Sequence, residues 1–200
     1  MLRNSLLALS IASLSAISPS IAEEKTKGTY FVGSIGAGAM NDIVFSADLG
    51  GGTATFDPGF SGEIGVGYDF GNIRTDFTIN STTTPLAGTT TVDVLVNSFL
   101  LSAAYDWRAD KKWQPYVGLG IGSSTIDINL ATTVGGTSVT AGDDNIATAK
   151  VKIGVNYEAS ENMDVYVESW GQGFDDFTIG LIQFTDVSVS GVSLGVRVKL

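Results

Sequence analysis

The sequence contains no cysteine and no histidine, and both absences limit its chemistry. Without cysteine, neither a disulfide nor a thiolate metal site can form. Without histidine, the chain lacks the usual general base, the commonest metal ligand and every Ser-His or Cys-His nucleophilic pair. We therefore expect no cofactor and name no catalytic residue.

Basic residues are also scarce, with 11 Lys and Arg against 21 Asp and Glu in the whole chain. Arg3 is the only charged residue among residues 1–22, so removing that segment would leave 10 bases against 21 acids, a net charge near −11. A chain this acidic is a poor partner for nucleic acid, and we expect none to bind.

Long hydrophobic runs are confined to the first residues. Arg3, the apolar stretch 6–17 and the small-x-small sequence Ser20-Ile21-Ala22 together predict a secretory signal peptide over 1–22. An N-terminal anchor helix is the less favoured alternative, because the segment is short and rich in serine. After Ala22 nothing approaches the roughly 20 apolar residues of a membrane-spanning helix, so the mature chain can cross a bilayer only as strands.

What the sequence does contain is strict two-residue alternation. Over 60–70, Phe60, Ile64 and Tyr68 fall on one face, whereas glycine and acidic residues fall on the other. After the turn Gly71-Asn72 the alternation resumes over 73–80, and its charged residues lie on the same side as before. Ions and glycine would make a poor hydrophobic core for a water-soluble protein. We therefore predict that the apolar face contacts lipid and that the polar face lines the interior of a small closed barrel.

The same reasoning applied along the chain gives eight strands and an all-β fold. We predict an eight-stranded antiparallel up-and-down transmembrane β-barrel over 29–200. A short periplasmic segment at 23–28 precedes it. The facing of the first and fourth strands is ambiguous, and a β-bulge is expected near Asn97. Long and short connections alternate, which in outer-membrane barrels separates outer loops from periplasmic turns. The predicted strands are 29–40, 60–70, 73–80, 92–107, 113–123, 148–158, 163–170 and 187–200.

Three predicted strands end in a tyrosine followed by an acid: Tyr68-Asp69, Tyr105-Asp106 and Tyr157-Glu158. Each pair would place the aromatic ring against lipid at the periplasmic interface and the carboxylate at the mouth of the barrel. Phe70, Trp107 and Trp113 lie at the same level, so we predict an aromatic belt there.

Glycine recurs at every second position in several strands, as at Gly118, Gly120 and Gly122. This spacing resembles a phosphate-binding loop, but no helical period follows it as a dinucleotide fingerprint requires. We expect these glycines to leave interior space for neighbouring side chains and to permit barrel curvature.

The segment Trp113-Gln114-Pro115-Tyr116-Val117-Gly118-Leu119-Gly120-Ile121-Gly122, together with Gly67-Tyr68-Asp69-Phe70-Gly71 and the alternating last strand, resembles the porin-like family of eight-stranded outer-membrane barrels. That family includes the OmpA-type transmembrane domain and the opacity-type surface antigens. The resemblance implies an outer-membrane location. It also implies lipopolysaccharide and other outer-membrane lipids as partners, and insertion by the barrel-assembly machinery.

The charged residues that are predicted to point inward form the best candidate for a functional site in this sequence. Hairpin geometry places Asp69 opposite Arg74 and Lys152 on a diagonal from Glu168. We expect a structural ionic network that plugs the lumen, with a gate opened by exchange of ion pairs as the alternative. The predicted members are Glu63, Asp69, Arg74, Asp76, Lys150, Lys152, Glu158, Asp164, Glu168, Arg197 and Lys199.

The predicted outer loops are 41–59, 81–91, 125–147 and 171–186; three of the four contain acids, and none contains a base. Within them, Asp143-Asp144 and Asp175-Asp176 are weak candidates for a divalent cation, and solvated loop-tip acids are the more favoured interpretation. A uniformly negative outer surface should bind anionic polymers and lipopolysaccharide phosphates weakly, except through bridging cations.

Three functions fit the sequence to different degrees. A structural or surface-exposed outer-membrane barrel fits every feature. A small-solute porin would need an open lumen, which eight strands rarely provide. A lipid-modifying outer-membrane enzyme would need a nucleophile and base that no serine here clearly has. A soluble lipocalin-like barrel would also have eight strands but the opposite facing.

Overall fold

The computed structural model describes residues 27–45, 52–89, 91–107, 112–131, 138–179 and 182–200, and all regular structure in them is β. Eight long strands form one closed barrel in which each strand pairs with its neighbours in sequence, and the last strand pairs with the first. The predicted eight-stranded antiparallel barrel is therefore confirmed. In the described part of the chain, no helix is long and apolar enough to cross a membrane.

Four of the eight barrel strands, the third and the fifth to seventh, extend well beyond their predicted bounds, mainly at the end that carries the long connections. We number the eight strands β1 to β8 in chain order. They are β1 Gly28–Met40, β2 Gly59–Asp69, β3 Ile73–Pro85, β4 Val92–Asp106, β5 Trp113–Ala131, β6 Ser138–Ser160, β7 Met163–Phe174 and β8 Ser188–Lys199.

Barrel closure is made by β1 and β8. Their register runs from Tyr30 opposite Lys199 to Met40 opposite Val189, without interruption. Residues 1–26, which include the predicted signal peptide, lie outside the described residues. Within the predicted periplasmic segment 23–28, Gly28 already belongs to β1.

The predicted facing of β2 and β3 is confirmed. Ile64 is 66 % exposed on the outside, whereas Glu63 is 5 % and Arg74 only 1 % exposed. Since β2 and β3 are joined by the tight turn at Gly71-Asn72, the alternation of one strand fixes that of the other. The outer surface is an apolar band, as a lipid-facing barrel requires.

An aromatic belt runs along the short-turn end from β2 to β6, as predicted. Three ring pairs point outward there: Tyr68 with Phe70 at 4.6 Å, Tyr105 with Trp107 at 5.3 Å, and Trp113 with Tyr157 at 4.8 Å between ring centroids. Rings of this kind are enriched where a bilayer meets water. The short-turn end of the barrel is therefore at one membrane interface.

Much of what was predicted as loop is strand. The predicted connection 125–147 was wrong over most of its length, because residues 125–131 and 138–147 continue β5 and β6 as a projecting hairpin. The connections 41–59 and 171–186 each contain a short two-stranded hairpin. These are Ile43–Phe45 with Gly52–Ala54, and Phe177–Ile179 with Ile182–Phe184.

The bulge expected near Asn97 was also wrong. The register of β4 with β3 and with β5 is continuous through Asn97. One irregularity lies instead between β5 and β6, where Asn145 is an additional residue with φ of 63°, in the left-handed region that asparagine tolerates. What changes near Asn97 is polarity. Val94 and Val96 point inward, whereas Phe99 and Leu101 point outward.

Candidate functional site

At the short-turn end, the lumen holds a buried ion pair between Arg74 of β3 and Asp106 of β4. The Nε and Nη2 atoms of Arg74 donate to the two carboxylate oxygens of Asp106, at 2.7 and 2.8 Å. Both side chains are excluded from solvent. A two-pronged arrangement of this kind fixes the guanidinium plane as well as neutralising the charge.

Three inward tyrosines accompany the arginines at this level. The Arg197 guanidinium lies 4.1 Å from the ring centroid of Tyr166 and 5.2 Å from that of Tyr116, and Arg74 lies 4.9 Å from Tyr116. Desolvated guanidinium groups over aromatic faces are stabilised by the ring quadrupole. The tyrosines therefore help to accommodate two buried arginines in one narrow lumen.

The tyrosine hydroxyls bond to the inward carboxylates. Tyr30 donates to Asp76, and Tyr116 donates to Glu168 at 2.7 Å. Arg197 donates to the side-chain oxygen of Asn156. These bonds compensate the burial of acids that would otherwise be costly to enclose.

In the middle of the barrel, Glu63 bridges two lysines. Its Oε2 lies 2.8 Å from Lys150 Nζ, and its Oε1 lies 3.7 Å from Lys152 Nζ. Glu63 belongs to β2 and the lysines to β6, on the opposite wall of the closed barrel. The carboxylate and the ammonium groups meet across the lumen and fill it.

Glycines make room for the large inward rings. A Cβ at Gly195 would lie 2.3 Å from Cζ of Tyr166, and one at Gly154 would lie 2.7 Å from Cζ of Tyr116. The predicted reason for period-two glycine, space for neighbouring side chains, holds at these positions. Glycine on one strand and tyrosine on the next together make a filled interior.

A layer of neutral polar groups lies next to the ions. The Nε2 atom of Gln172 is 2.8 Å from Ser98 Oγ, 3.2 Å from Ser124 Oγ and 3.0 Å from Thr148 Oγ1. The two serine hydroxyls are also 2.8 Å apart. This amide and hydroxyl layer joins four strands of the barrel wall.

At the long-connection end, the interior becomes apolar. Buried side chains from the barrel strands pack there with Phe177 and Phe184 of the last outer connection. Trp170 marks the boundary, since it belongs to this apolar cluster while Lys150 Nζ lies 4.7 Å from its ring centroid. The buried members are Met40, Val94, Val96, Ile126, Ile146, Trp170, Phe177, Phe184, Val187 and Val189.

The structure places most of the predicted inward charges inside the lumen. Glu158 and Lys199 are half-buried at the short-turn rim, where Lys199 Nζ lies 3.4 Å from the Glu161 carbonyl oxygen. The buried predicted residues are Glu63, Asp69, Arg74, Asp76, Lys150, Lys152, Asp164, Glu168 and Arg197.

The sequence predicted that Asp69 lies opposite Arg74 and that Lys152 lies on a diagonal from Glu168. Both placements agree with the strand register, but neither is one of the ion pairs described above. Asp69 is opposite Arg74 in the β2–β3 ladder, yet Arg74 pairs with Asp106. Lys152 is diagonal to Glu168, yet it pairs with Glu63. Asp106 was absent from the predicted network, although the Tyr105-Asp106 strand end already indicated that its carboxylate points inward.

The long connections carry exposed carboxylates at Asp42, Asp57, Asp175, Asp176 and Asp186, and Asp127, on the extended part of β5, is half-buried. The side chains of Asp143 and Asp144, and all of Asp48, lie outside the described residues. Among the side chains that the structure describes, no group of three or more acids could hold a metal ion. A cation site at Asp143-Asp144 or Asp175-Asp176 stays a prediction, less favoured than solvated loop-tip acids.

The sequence matches the family model described as "Outer membrane protein beta-barrel domain" over residues 5–199. No curated protein matches it. Among solved structures, Neisserial surface protein A is similar at 22 % identity and a TM-score of 0.62, over 86 % of this chain and 99 % of that one. OprG of Pseudomonas aeruginosa is similar at 14 % identity and a TM-score of 0.54, over 88 % and 99 %. The outer membrane protein AlkL is similar at 18 % identity and a TM-score of 0.51, over 94 % and 98 %. At these identities, the three structures support the fold alone.

Proposed function

The chain belongs to the family of outer membrane protein β-barrel domains, and from that premise we propose that it is a non-conducting, non-catalytic barrel whose role is carried by its outer connections. It is an integral protein of the outer membrane, with a structural or surface-exposed role. We propose that the lumen is closed, that the barrel catalyses no reaction, and that the long connections face the outside of the cell.

The observation that carries the proposal is the Glu63 contact with Lys150 and Lys152 across the lumen. An eight-stranded barrel has an interior just wide enough for its own side chains to fill. Here the ions, the tyrosines and the Gln172 layer occupy successive levels of that interior. A solute would have to break buried ion pairs to pass, which disfavours the porin alternative.

The polar groups of the lumen also support a non-catalytic role. Ser98, Ser124 and Thr148 surround an amide rather than a base. A serine nucleophile needs a general base within hydrogen-bond reach, and the usual one, histidine, is absent from the sequence. The lipid-modifying enzyme is therefore the least supported alternative.

The partners proposed for this chain follow from its surfaces. The apolar band, with residues such as Ile64, Leu101 and Ile121 more than half exposed, suits the acyl chains of outer-membrane lipids. The acidic outer connections suit lipopolysaccharide phosphates only through bridging divalent cations. We propose insertion by the barrel-assembly machinery and no interaction with nucleic acid.

Conductance measurements test the closed lumen. We expect the purified protein to produce no single-channel steps in planar bilayers, because its buried ion pairs block the lumen. The Lys152→Ala variant tests the gate alternative, and we expect it to be equally silent. As a control that the added protein was folded, an unheated sample should migrate differently from a boiled sample on a gel. Steps that scale with the amount of folded protein would overturn the closed lumen.

Cysteine labelling in intact cells tests the orientation, and the chain suits it because it has no native cysteine. We expect a membrane-impermeant maleimide to label Asp176→Cys, on a long connection, in intact cells. The matched variant Glu161→Cys, at a short turn, should be labelled only after the outer membrane is permeabilised. Both positions are exposed, so accessibility alone does not distinguish them. The opposite labelling pattern would contradict the proposed orientation.

A further inference from the structure

A cavity of about 260 Å³ lies at the outer end of the barrel, between the strand ends and the long connections. Every described residue that lines it is alanine, valine, leucine, isoleucine, methionine or phenylalanine. The ionic network and the Gln172 layer lie deeper in the barrel and contribute nothing to this lining. The cavity is thus a separate chamber from the polar lumen.

The cavity has an ordered floor and wall. Met40, Val94 and Ile126 come from three barrel strands, and each is at most 5 % exposed. Phe177 and Phe184 form part of the wall and stack with their ring centroids 5.2 Å apart. Buried, stacked side chains of this kind define a shape before any ligand arrives.

Backbone hydrogen bonds tie the first two long connections together around the cavity. The amide of Ala87 donates to the Thr55 carbonyl at 2.8 Å, and the amide of Asp57 donates to the Pro85 carbonyl at 2.9 Å. Phe56 and Leu86, which lie between these bonds, both line the cavity and form an isolated β-bridge. The walls made by these connections are therefore held by main-chain bonds and not by side-chain contacts alone.

The lining determines the chemistry of an occupant. A polar group placed against it would lose its hydrogen bonds to water without finding new ones. A dry apolar cavity of about 150 Å³ is large enough to bind benzene, so 260 Å³ accommodates a somewhat larger hydrocarbon. Half-buried lining residues such as Ile43, Phe56 and Ile179 place apolar surface at the rim, where such a group can enter.

The charge around the cavity determines which end group a bound hydrocarbon chain can carry. Several lining residues have an aspartate as their direct neighbour in the chain: Ile43 follows Asp42, Phe56 precedes Asp57, and Phe177 follows Asp176. These aspartates are exposed, and the outer connections 41–58, 86–91, 125–147 and 175–187 contain no lysine or arginine. A carboxylate or phosphate at the rim would therefore be repelled without any compensating base.

We propose that this cavity binds one short alkyl chain that carries an uncharged end group, and that it rejects the corresponding anion. The chain can come from a free amphiphile or from a lipid without net charge, since the lining recognises only the hydrocarbon. The proposal is independent of whether the lumen conducts. It assigns a ligand chemistry to the outer end of the barrel.

Methyl NMR of the full barrel in lipid nanodiscs tests the proposal. Isoleucine methyl groups report on both environments, because Ile43 and Ile126 line the cavity whereas Ile64 and Ile121 face lipid. 1-Decanol is expected to shift the cavity methyls saturably, and the lipid-facing methyls only in proportion to its partition into the bilayer. Decanoate at about pH 8, where its carboxyl is ionised, should bind at least about tenfold more weakly.

A matched pair of variants separates specific binding from partition. Ala54→Leu adds bulk to a lining position, and we expect it to weaken 1-decanol binding at least about tenfold. Ala103→Leu adds the same bulk on the lipid-facing side of β4 and should change nothing. Unsaturable shifts, equal binding of decanoate, or an Ala54→Leu variant that binds as well as the parent would each overturn the proposal.

A third arm identifies the source of the chain. Nanodiscs doped with didecanoylglycerol present the same chain on a lipid whose head group is uncharged. Saturable shifts of the cavity methyls with this lipid as well as with 1-decanol show that the site accepts a chain from a membrane lipid. Saturable shifts with 1-decanol alone assign the site to a free amphiphile, and the absence of saturable shifts with 1-decanol contradicts the proposal whatever the lipid does.

Discussion

Replacing Glu63 by glutamine is expected to lower the free energy of unfolding by about 3–5 kcal/mol, the usual cost of removing one partner from a buried ion pair. The substitution keeps the side-chain shape but leaves Lys150 and Lys152 without the carboxylate that both contact at 2.8 and 3.7 Å. Two like charges, two positions apart on the inner face of β6, would then repel each other inside the lumen. Urea titration of the barrel in detergent, followed by tryptophan fluorescence, measures the loss as a lower midpoint.

Glu161→Gln is the matched control for this substitution. It removes the same charge from an exposed turn residue, and such surface changes normally stay within about 0.5 kcal/mol. Equal midpoints for Glu63→Gln, Glu161→Gln and the parent would show that Glu63 does not hold the two lysines in the folded barrel. A change in the slope of the transition would instead indicate a different compactness of the denatured or the folded state, or a loss of two-state unfolding.

Replacing Arg74 by methionine is expected to cost a similar amount, about 3–5 kcal/mol, because Asp106 is left as a buried acid without its guanidinium partner. The loss also includes the contact of Arg74 with the Tyr116 ring at 4.9 Å. Lysine should not rescue the site, because an ammonium group cannot reproduce the two parallel bonds at 2.7 and 2.8 Å. The midpoint of the gel shift between folded and unfolded barrel, measured against temperature, reports the loss.

The double variant Arg74→Met with Asp106→Leu distinguishes charge from packing. Replacing a whole buried pair by apolar side chains is often neutral or stabilising, so the double variant should be more stable than Arg74→Met alone. Such non-additivity is the direct measure of the interaction between the two residues. A double variant that loses the sum of the two single losses would contradict a charge-based role for the pair.

The facing of β2 and β3 could be predicted from the sequence for a physical reason. Phe60, Ile64 and Phe77 contact lipid on one side, and Glu63 and Arg74 are enclosed on the other. The environment therefore differs strongly between the two faces in this part of the barrel. Alternation of hydrophobicity reports that difference directly, because consecutive strand residues point in opposite directions.

The same pattern fails where the strands extend beyond the apolar band. Val94 and Ile126 point inward to the outer apolar cluster, and Asp93 and Asp127 lie on the opposite face. The polarity of the two faces is inverted relative to the lipid-facing part. This inversion, in a strand whose register is continuous, imitates the signature of a bulge, which explains the wrong prediction at Asn97.

Partners across the lumen could not be predicted at all. Glu63 and Lys150 are 87 positions apart in sequence and sit on opposite walls, so no hairpin relation connects them. Strand register fixes only neighbours within the wall. The cavity at the outer end is a similar case, because its lining comes from strand ends and three separate long connections.

The sequence by itself determined which residues of β2 and β3 face lipid, how many barrel strands there are, and that the chain has no histidine or cysteine chemistry, because each of these follows from composition or from local alternation. Tertiary structure alone decided which buried charges meet and where an apolar chamber forms. Those contacts depend on closing the barrel between β1 and β8, which brings distant strands and connections together. Closure is a global property, and no local pattern of residues encodes the distances across the interior that it creates.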